Sequence, residues 1–504
     1  MAYLHPESPP PRLAAGVYKR FLLGAVLIVL ATSAAVSTAT LLEVKTASDI
    51  FQGVSSPIVG IDEPNVLDDV DAGEPQTIIV LGSDRRFVDI KAKTPTRSDT
   101  IILLRLDPSR GATAVMSLPR DLRVTVPGFG RRKINEAYAL GGPKLTVETV
   151  RRLLGIPINH VVNVNFGGFQ RAVNRLGCVY ADIDRRYYND NAPPTGGGER
   201  YAVIDVPAGY QRLCGKAALE YVRYRHEDND IVRGARQQDF LRQAKAQIGV
   251  SRLFADRKEL IEIFGRYTQT DIRGTTAILR LLKLTVESAK NPIQEVQIKD
   301  LEEDGADLVA SAGAIDDAAS DFLSAQASKG PRVNPKEDTA TRRRVKRSAK
   351  RKSGRLPRGL RESRRAAEDQ AVPLDTKLDF PVYFPKLAVN GSTLRERDHR
   401  AYDLYDRGRR KYRAYRMVIN APGTGQNYGV QGTNWKAPPI LDSPSEKRRV
   451  GGRTFELFYD GDRLRLVAWR TDRAVYWVSN TLLQTLTEKQ MLGLASGLTR
   501  VGGK

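Results

Sequence analysis

The sequence predicts an α/β protein with a small α+β unit at its C-terminal end. Two patterns carry this reading. Between Thr77 and Ala325, short apolar runs rich in β-branched residues alternate with segments of helical period, as in a sheet flanked by helices. Between Thr454 and Val478 the pattern becomes an alternation broken at Asp460-Gly461 and Thr471-Asp472, which reads as a three-stranded meander.

Taken in order, residues 1–20 form a short head ending in Lys19 and Arg20. Phe21 to Leu42 is uncharged and apolar, long enough to span a bilayer as a helix. The flanking cations place the N-terminus in the cytoplasm and the rest outside. A cleaved signal peptide, with Ser33-Ala34-Ala35 as its small-residue site, is the competing reading. Residues 43–76 are acidic and Gly/Pro-bearing, and read as a spacer from the membrane.

The main domain is expected over 77–328. Its strands are Thr77–Leu81, Thr100–Leu106, Ala114–Leu118, Ile158–Val164, Val179–Ile183 and Tyr201–Val206, with a turn at Pro207-Ala-Gly-Tyr. Its helices are Thr146–Leu154, Phe169–Leu176, Cys214–Tyr221, Asp239–Val250, Lys258–Phe264, Thr275–Leu282 and Ile315–Ala325. Residues 329–373 read as a disordered basic linker. Thirteen cations between Thr341 and Ala366, against Glu362 alone, give a net +12 of the chain's +22. Such a block is self-repelling, so the folded parts are only moderately basic. Residues 374–504 form the C-terminal unit, ending in a helix from Thr487 to Leu498. It holds Trp435, Trp469 and Trp477, for which core packing is the commoner explanation than sugar stacking.

Two cysteines and four histidines leave little for a Cys/His metal centre. In an oxidising compartment Cys178 and Cys214 are expected to pair, with two buried thiols as the alternative.

The first three strands each carry an Asp and an Arg at one end. Gly82-Ser-Asp-Arg-Arg86 follows the first, Arg97-Ser-Asp99 precedes the second, Pro119-Arg-Asp121 follows the third, and Lys133 comes soon after. Strand ends are where a rigid sheet positions site residues. A single such pair is ordinarily a surface salt bridge, a reading that weakens when three flank neighbouring strands. A second concentration lies in Leu219–Gln238. Asp230 can cap a helix on which Arg233, Arg236 and Gln237 share a face, while Arg223 and Arg225 arrive from the preceding segment. Guanidiniums grouped in this way suit phosphate oxygens. Surface ion pairs with Glu220, Glu227 and Asp228 are the plainer reading.

Six of these motifs, in order from Thr77 to Gly249, resemble the LytR-CpsA-Psr family of cell-envelope proteins. They are Gly82-Ser-Asp-Arg-Arg, Arg97-Ser-Asp-Thr, Ser117-Leu-Pro-Arg-Asp-Leu, Lys133-Ile-Asn-Glu-Ala-Tyr, Leu219-Glu-Tyr-Val-Arg-Tyr-Arg-His and Arg233-Gly-Ala-Arg-Gln-Gln. The resemblance implies a mixed central β-sheet flanked by helices, with a pocket for a polyprenyl chain. It implies a membrane-anchored, extracytoplasmic phosphotransferase that moves a glycopolymer from undecaprenyl pyrophosphate to a peptidoglycan hydroxyl. Carried over by position, Asp84 and Asp99 would hold Mg2+. Arg85, Arg97, Arg120, Arg223, Arg225, Arg233 and Gln237 would surround the pyrophosphate, with Lys133 and Arg236 beside them. Of these, Asp84, Asp99, Arg97, Arg120, Arg223, Arg225 and Arg233 would be catalytic. Asp84 or Asp121 could serve as base, or the metal could suffice by acidifying the hydroxyl.

Cys178 departs from the family pattern, since a second Gly is expected after Gly177. The expected partners are the polyprenyl-linked glycan, peptidoglycan and the cytoplasmic membrane, with no nucleic acid. Outside the membrane the basic tract would meet anionic wall polymers or lipid head groups, or act as a plain spacer. A membrane-tethered regulator binding nucleic acid through that tract is the alternative from another class, and a non-catalytic lipid- or glycan-binding protein is a third.

Overall fold

The computed structural model describes residues 57–83, 98–190, 202–248, 256–325 and 358–503, apart from positions 72, 225–227, 229, 274–279, 282, 286, 289, 290, 292, 306, 424, 425, 461 and 462. The expected membrane span and most of the basic tract lie outside those residues. Among the described residues no helix is long and apolar enough to cross a membrane.

Strands β1 (Gln76–Ser83), β2 (Ser98–Asp107) and β3 (Ala112–Leu118) form an antiparallel meander at the centre of the main domain. The hairpin β4–β5 (Arg123–Val126, Gly130–Lys133) follows, then helix α1 (Glu136–Leu154). Gly141 and Gly142 break the helical geometry of α1, and Pro143 opens its second segment. Strand β6 (His160–Asn165) pairs parallel with β1 and leads into α2 (Phe166–Arg175). Next come β7 (Val179–Ile183), the ribbon β8–β9 (Tyr187–Asn189, Ile204–Val206) and β10 (Gly209–Leu213), which pairs with β7. Helices α3 (Gly215–Arg223), α4 (Asp230–Gln247) and α5 (Arg257–Tyr267) lead to β11 (Thr268–Thr270) and β12 (Ile293–Val296). The hairpin β13–β14 (Glu302–Asp304, Asp307–Val309) and α6 (Ala312–Ser324) complete the domain. The central sheet runs β11-β6-β1-β2-β3-β12 and is mixed, parallel at β1–β6 and β3–β12 and antiparallel elsewhere.

The apolar runs are continuous because both sheet faces are covered. Ile79, Leu81, Ile101, Leu103 and Met116 pack against Val147 and Val150 of α1 and Phe322 of α6. Ile78, Val80, Leu104 and Leu106 face Leu281 and Leu284 on the other side. Each fully buried aliphatic contributes about 1.5–3 kcal/mol. The expected acidic spacer is partly core instead. Ile58, Ile61 and Val66 are buried in the first cluster. Asp68 holds Arg151 at 2.5 Å and accepts from the Ile158 amide at 2.9 Å. Three apolar side chains among the acids were enough to fold this segment onto α1.

The C-terminal unit begins earlier than expected. Strand β15 (Leu360–Glu362) and helix α7 (Arg364–Asp375) lie within the stretch read as disordered linker. Ala367, Ala371 and Leu374 pack into the core from α7. Arg361 and Arg364 donate to the Ser392 and Gly503 carbonyls, at 2.6 and 3.1 Å. Strands β16 (Tyr383–Pro385) and β17 (Leu387–Val389) follow, β17 pairing with β15. The main sheet of this unit has eight strands. They are β18 (Thr393–Leu394), β19 (Arg400–Tyr405), β20 (Lys411–Asn420), β21 (Asn427–Thr433), β22 (Glu446–Val450), β23 (Arg453–Asp460), β24 (Arg463–Arg470) and β25 (Val475–Ser479). The expected meander is therefore β23–β24–β25 within a larger antiparallel sheet. Helix α8 (Glu488–Ser496) has a capping box between Thr487 and Gln490, and β26 (Leu498–Arg500) returns to β16.

The two units share a buried seam. Tyr180 and Tyr210, on β7 and β10, pack in one apolar cluster with Tyr402, Leu466 and Trp477. Trp469 and Trp477 are core residues, and Trp435 is half-buried against Tyr412.

Candidate active site

Four strand ends meet at one edge of the central sheet. Gly82 stands opposite Thr100, Ser83 opposite both Ser98 and Asn165, and Leu118 opposite Ile101. Between Thr100 and Ser98 the register slips, so Asp99 is the extra residue of a β-bulge facing the end of β1. Bulges collect beside active sites, where they re-aim the chain. Gly82 lets the two strand ends approach closely, since a Cβ there would stand 3.0 Å from that of Thr100. Asp84, Arg85, Arg97 and Arg225 lie outside the described residues, as does the side chain of Asp99.

The end of β3 delivers Arg120 and Asp121. Arg120 Nε donates to Asp121 Oδ2 at 3.3 Å, and Lys133 Nζ, from the end of β5, donates to Oδ1 at 3.0 Å. Lys133 also meets Asp307 at 3.4 Å, and Arg123 meets the same carboxylate at 3.3 Å. Burial alone would raise the Asp121 pKa. The Arg120 charge, the Lys133 bond and charge, and the Arg233 charge outweigh burial and hold it below the usual carboxylate value. Arg233 of α4 is thus near enough for its charge to act on Asp121.

Helix α4 lies close over this edge, since a Cβ on Gly234 would be 3.3 Å from Ser117 Oγ. One turn on, Gln237 Nε2 donates to Thr100 Oγ1 and to the Val222 carbonyl, both at 3.2 Å. Arg223, at the C-terminus of α3, lays its guanidinium over Phe166, 3.9 Å from the ring centre. Phe166 opens α2 directly after β6, so Arg223 reaches the same edge. Helix α4 opens at Asp230, whose side chain lies outside the described residues.

Arg236 does not join the group. Its side chain is wholly buried and pairs with Asp228 and the Tyr224 carbonyl. Tyr187 lies 4.6 Å from its guanidinium carbon, and Tyr221 and Tyr224 lie 5.7 Å away. The i, i+3 spacing puts it on a face with Arg233, but Asp228, the Tyr224 carbonyl and three tyrosine rings take its side chain into the core. Glu220 pairs with Lys216 at 3.6 Å.

Cys178 and Cys214 form a disulfide, with a Cα separation of 4.5 Å. It continues the β7–β10 ladder beyond the Val179–Leu213 pair and ties the N-cap of α3, the helix that carries Arg223. Cys178 has φ +65, the left-handed geometry that a glycine would adopt freely. That explains why a second glycine is the expected residue there.

Two charged residues around the site were not foreseen. Asp307 shares Lys133, and its only sequence signal was an acid after a Gly-bearing turn. Arg185 pairs with Asp228 at 2.6 Å, both side chains buried. Its signal was Asp184-Arg185-Arg186, a charged run directly after an apolar strand.

Residues 31–322, more than half of the chain, match the model of the LytR_cpsA_psr family. The chain belongs to this family. Among curated relatives, the polyisoprenyl-teichoic acid–peptidoglycan teichoic acid transferase TagU of Oceanobacillus iheyensis is 32% identical over 230 residues, 44% of this chain and 66% of that protein. The enzyme of the same description named TagT, from Bacillus subtilis, is 33% identical over 165 residues, 33% of this chain and 50% of that protein. The chain therefore spans between half and two thirds of the length of these two relatives. The crystal structure of B. subtilis TagV aligns with a TM-score of 0.41 at 26% identity, covering 50% of this chain and 97% of that one.

Proposed function

We propose that this LytR_cpsA_psr family member is a membrane-anchored, extracytoplasmic phosphotransferase that moves a glycopolymer from a polyprenyl-pyrophosphate carrier to a peptidoglycan hydroxyl. The observation that carries the reading is the convergence of Arg120, Lys133, Arg223, Arg233 and Gln237 on one sheet edge, beside the Asp99 bulge. TagU and TagT, named as transferases of teichoic acid to peptidoglycan, point the same way. The disulfide agrees with an oxidising compartment outside the membrane.

In this reading the acceptor oxygen attacks the phosphorus next to the sugar, and the P–O bond to polyprenyl phosphate breaks. The acceptor hydroxyl loses its proton to a base. Arg120, Arg223 and Arg233, with Arg85, Arg97 and Arg225 from the same motifs, balance the charge that builds on the phosphate oxygens. Gln237 orients them by an amide hydrogen bond. Asp121, held ionised by its cations, is a weak base and serves as the anchor of Arg120 and Lys133, which leaves the proton step to Asp84 or to acidification of the hydroxyl by the metal. The donor set fits magnesium. Asp84 follows β1 and Asp99 occupies the facing bulge, and this metal takes one or two carboxylates and completes its shell with phosphate oxygens and water. When bound there it would neutralise phosphate charge.

The test uses the chain from about Ala47 onward with a polyprenyl-pyrophosphate oligosaccharide, peptidoglycan fragments and magnesium. Transfer with release of polyprenyl phosphate, abolished by chelation and by Asp99→Ala, is the expected result. Tight lipid binding without turnover, unchanged in Asp99→Ala, would replace the enzyme by a carrier or sensor.

A further inference from the structure

Beneath the arginine cluster lies a second set of charges that the reaction itself does not use. Asp228 has a side chain with no solvent exposure, yet it faces two arginines that are themselves buried. Arg185 reaches it from the β7–β8 turn at 2.6 Å, and Arg236 reaches it from α4. The same Arg236 also donates to the carbonyl of Tyr224, the residue directly after Arg223. Around these three groups stand Tyr187 and Tyr224, with ring centres 4.6 and 5.3 Å from the Arg185 guanidinium carbon. Tyr187 in turn donates to Asp184 at 2.6 Å, and Tyr224 to the Tyr188 carbonyl at 3.3 Å.

We propose that Asp228 is a positioning residue: its carboxylate, bridging Arg185 and Arg236, fixes the chain between α3 and α4 and so sets where Arg223 and Arg233 present their guanidiniums. Three features support this. The chain is tied on both sides of the connection, at the Tyr224 carbonyl and at the Asp228 carboxylate, and one guanidinium makes both ties. The tied residues stand one position from Arg223 and five positions from Arg233. A buried carboxylate between two buried cations is costly to assemble and tolerates few alternative arrangements, so it suits fixing a geometry better than adding stability. The Tyr187 and Tyr224 rings stand over the two guanidiniums, and their hydroxyls are held by Asp184 and the Tyr188 carbonyl, so the arginines that grip Asp228 are themselves fixed.

The proposal rests on the phosphotransferase reading, and its test separates the two. Inorganic pyrophosphate is titrated calorimetrically into the full exported chain, as wild type, Asp228→Asn and Arg185→Lys, at a temperature where circular dichroism shows each to be folded. Coulomb's law alone predicts that removing a negative charge near an anion site strengthens anion binding. Positioning predicts the opposite sign: about tenfold or more weaker binding in Asp228→Asn, with a smaller loss in the same direction in Arg185→Lys. Arg185→Lys keeps the cation and gives the answer if Asp228→Asn does not fold. Wild-type binding with equal or tighter binding in the folded variants would overturn the positioning role alone. No pyrophosphate binding by the wild type would overturn both readings.

Discussion

Asp182 of β7 is gripped by Arg416 of β20 across the seam between the two units, with Nη1 3.1 Å from Oδ1 and 3.3 Å from Oδ2. The guanidinium has no solvent exposure, and Trp477 Nε1 donates to the same carboxylate at 3.1 Å. Removing one partner of a buried pair strands the other charge, typically at about 3–5 kcal/mol. Arg416→Met should therefore destabilise the protein by that amount in urea titrations, while Asp182→Asn with Arg416→Met together should cost less than the sum. Strict additivity in that cycle would show that the pair does not couple the units.

The disulfide should matter to both stability and site geometry. It closes a loop of 36 residues in sequence separation, for which chain entropy gives about 4 kcal/mol. Cys214→Ser should lower the melting temperature accordingly, as should reduction of the native protein. Cys178→Gly removes the same bond but restores a residue at ease at positive φ, so it should lose less than Cys214→Ser. Equal losses would mean that the left-handed backbone at Cys178 carries no cost.

Arg120 tests whether forked recognition is at work at the sheet edge. Arg120→Lys keeps the charge beside Asp121 but loses the planar pair of donors. Transfer should fall by about tenfold to a hundredfold with urea stability nearly unchanged, since the lysine keeps a cation beside Asp121. A variant as active as wild type would leave Arg120 a plain salt-bridge partner of Asp121.

Much of this arrangement was legible in the sequence, for a physical reason. The meander β1–β3 is buried on both faces, so its apolar runs are continuous and bounded by charge, and Arg120, Asp121 and Lys133 could be placed at strand ends from the pattern alone. The disulfide was expected from two cysteines in a chain read as exported, where the compartment is oxidising. Three parts were hidden. Ile58, Ile61 and Val66 are too sparse among acidic residues to show a period, and only tertiary contact makes them core. The strands β18 to β22 gave no clear alternation, because Arg416 and Gln431 are buried where polar residues would normally face solvent. Arg236 shares a helical face with Arg233 by count, but whether that face meets the site or the core is decided by Tyr187 and Asp228, which are remote or irregular in sequence.

The pH dependence follows from Asp121. Its pKa is lowered in the folded protein, so the group binds protons more weakly when folded than unfolded. Its contribution is fully present above the ordinary carboxylate value of 3.8 and is lost as pH falls through the lower folded value. The acid limb of stability should therefore flatten in Asp121→Asn, and Lys133→Met should move it toward higher pH by removing one of the cations that hold Asp121 low. An unchanged acid limb in both variants would remove Asp121 as a source of acid sensitivity.

Gly209 offers a test of how tightly the C-terminal unit is seated. It begins β10 with φ +106, and a Cβ there would stand 2.5 Å from the Tyr402 hydroxyl and 2.9 Å from its ring. That hydroxyl donates to the Tyr210 carbonyl at 3.0 Å, so it has little room to retreat. Gly209→Ala combines a strained backbone with a clash at the seam, and should cost about 2–4 kcal/mol. In a Tyr402→Ala background the clash is gone and only the backbone cost of about 1–2 kcal/mol should remain. Measured by urea denaturation, that difference gives the steric part of the docking directly. If Gly209→Ala costs the same in both backgrounds, the seam is loose enough for Tyr402 to move aside.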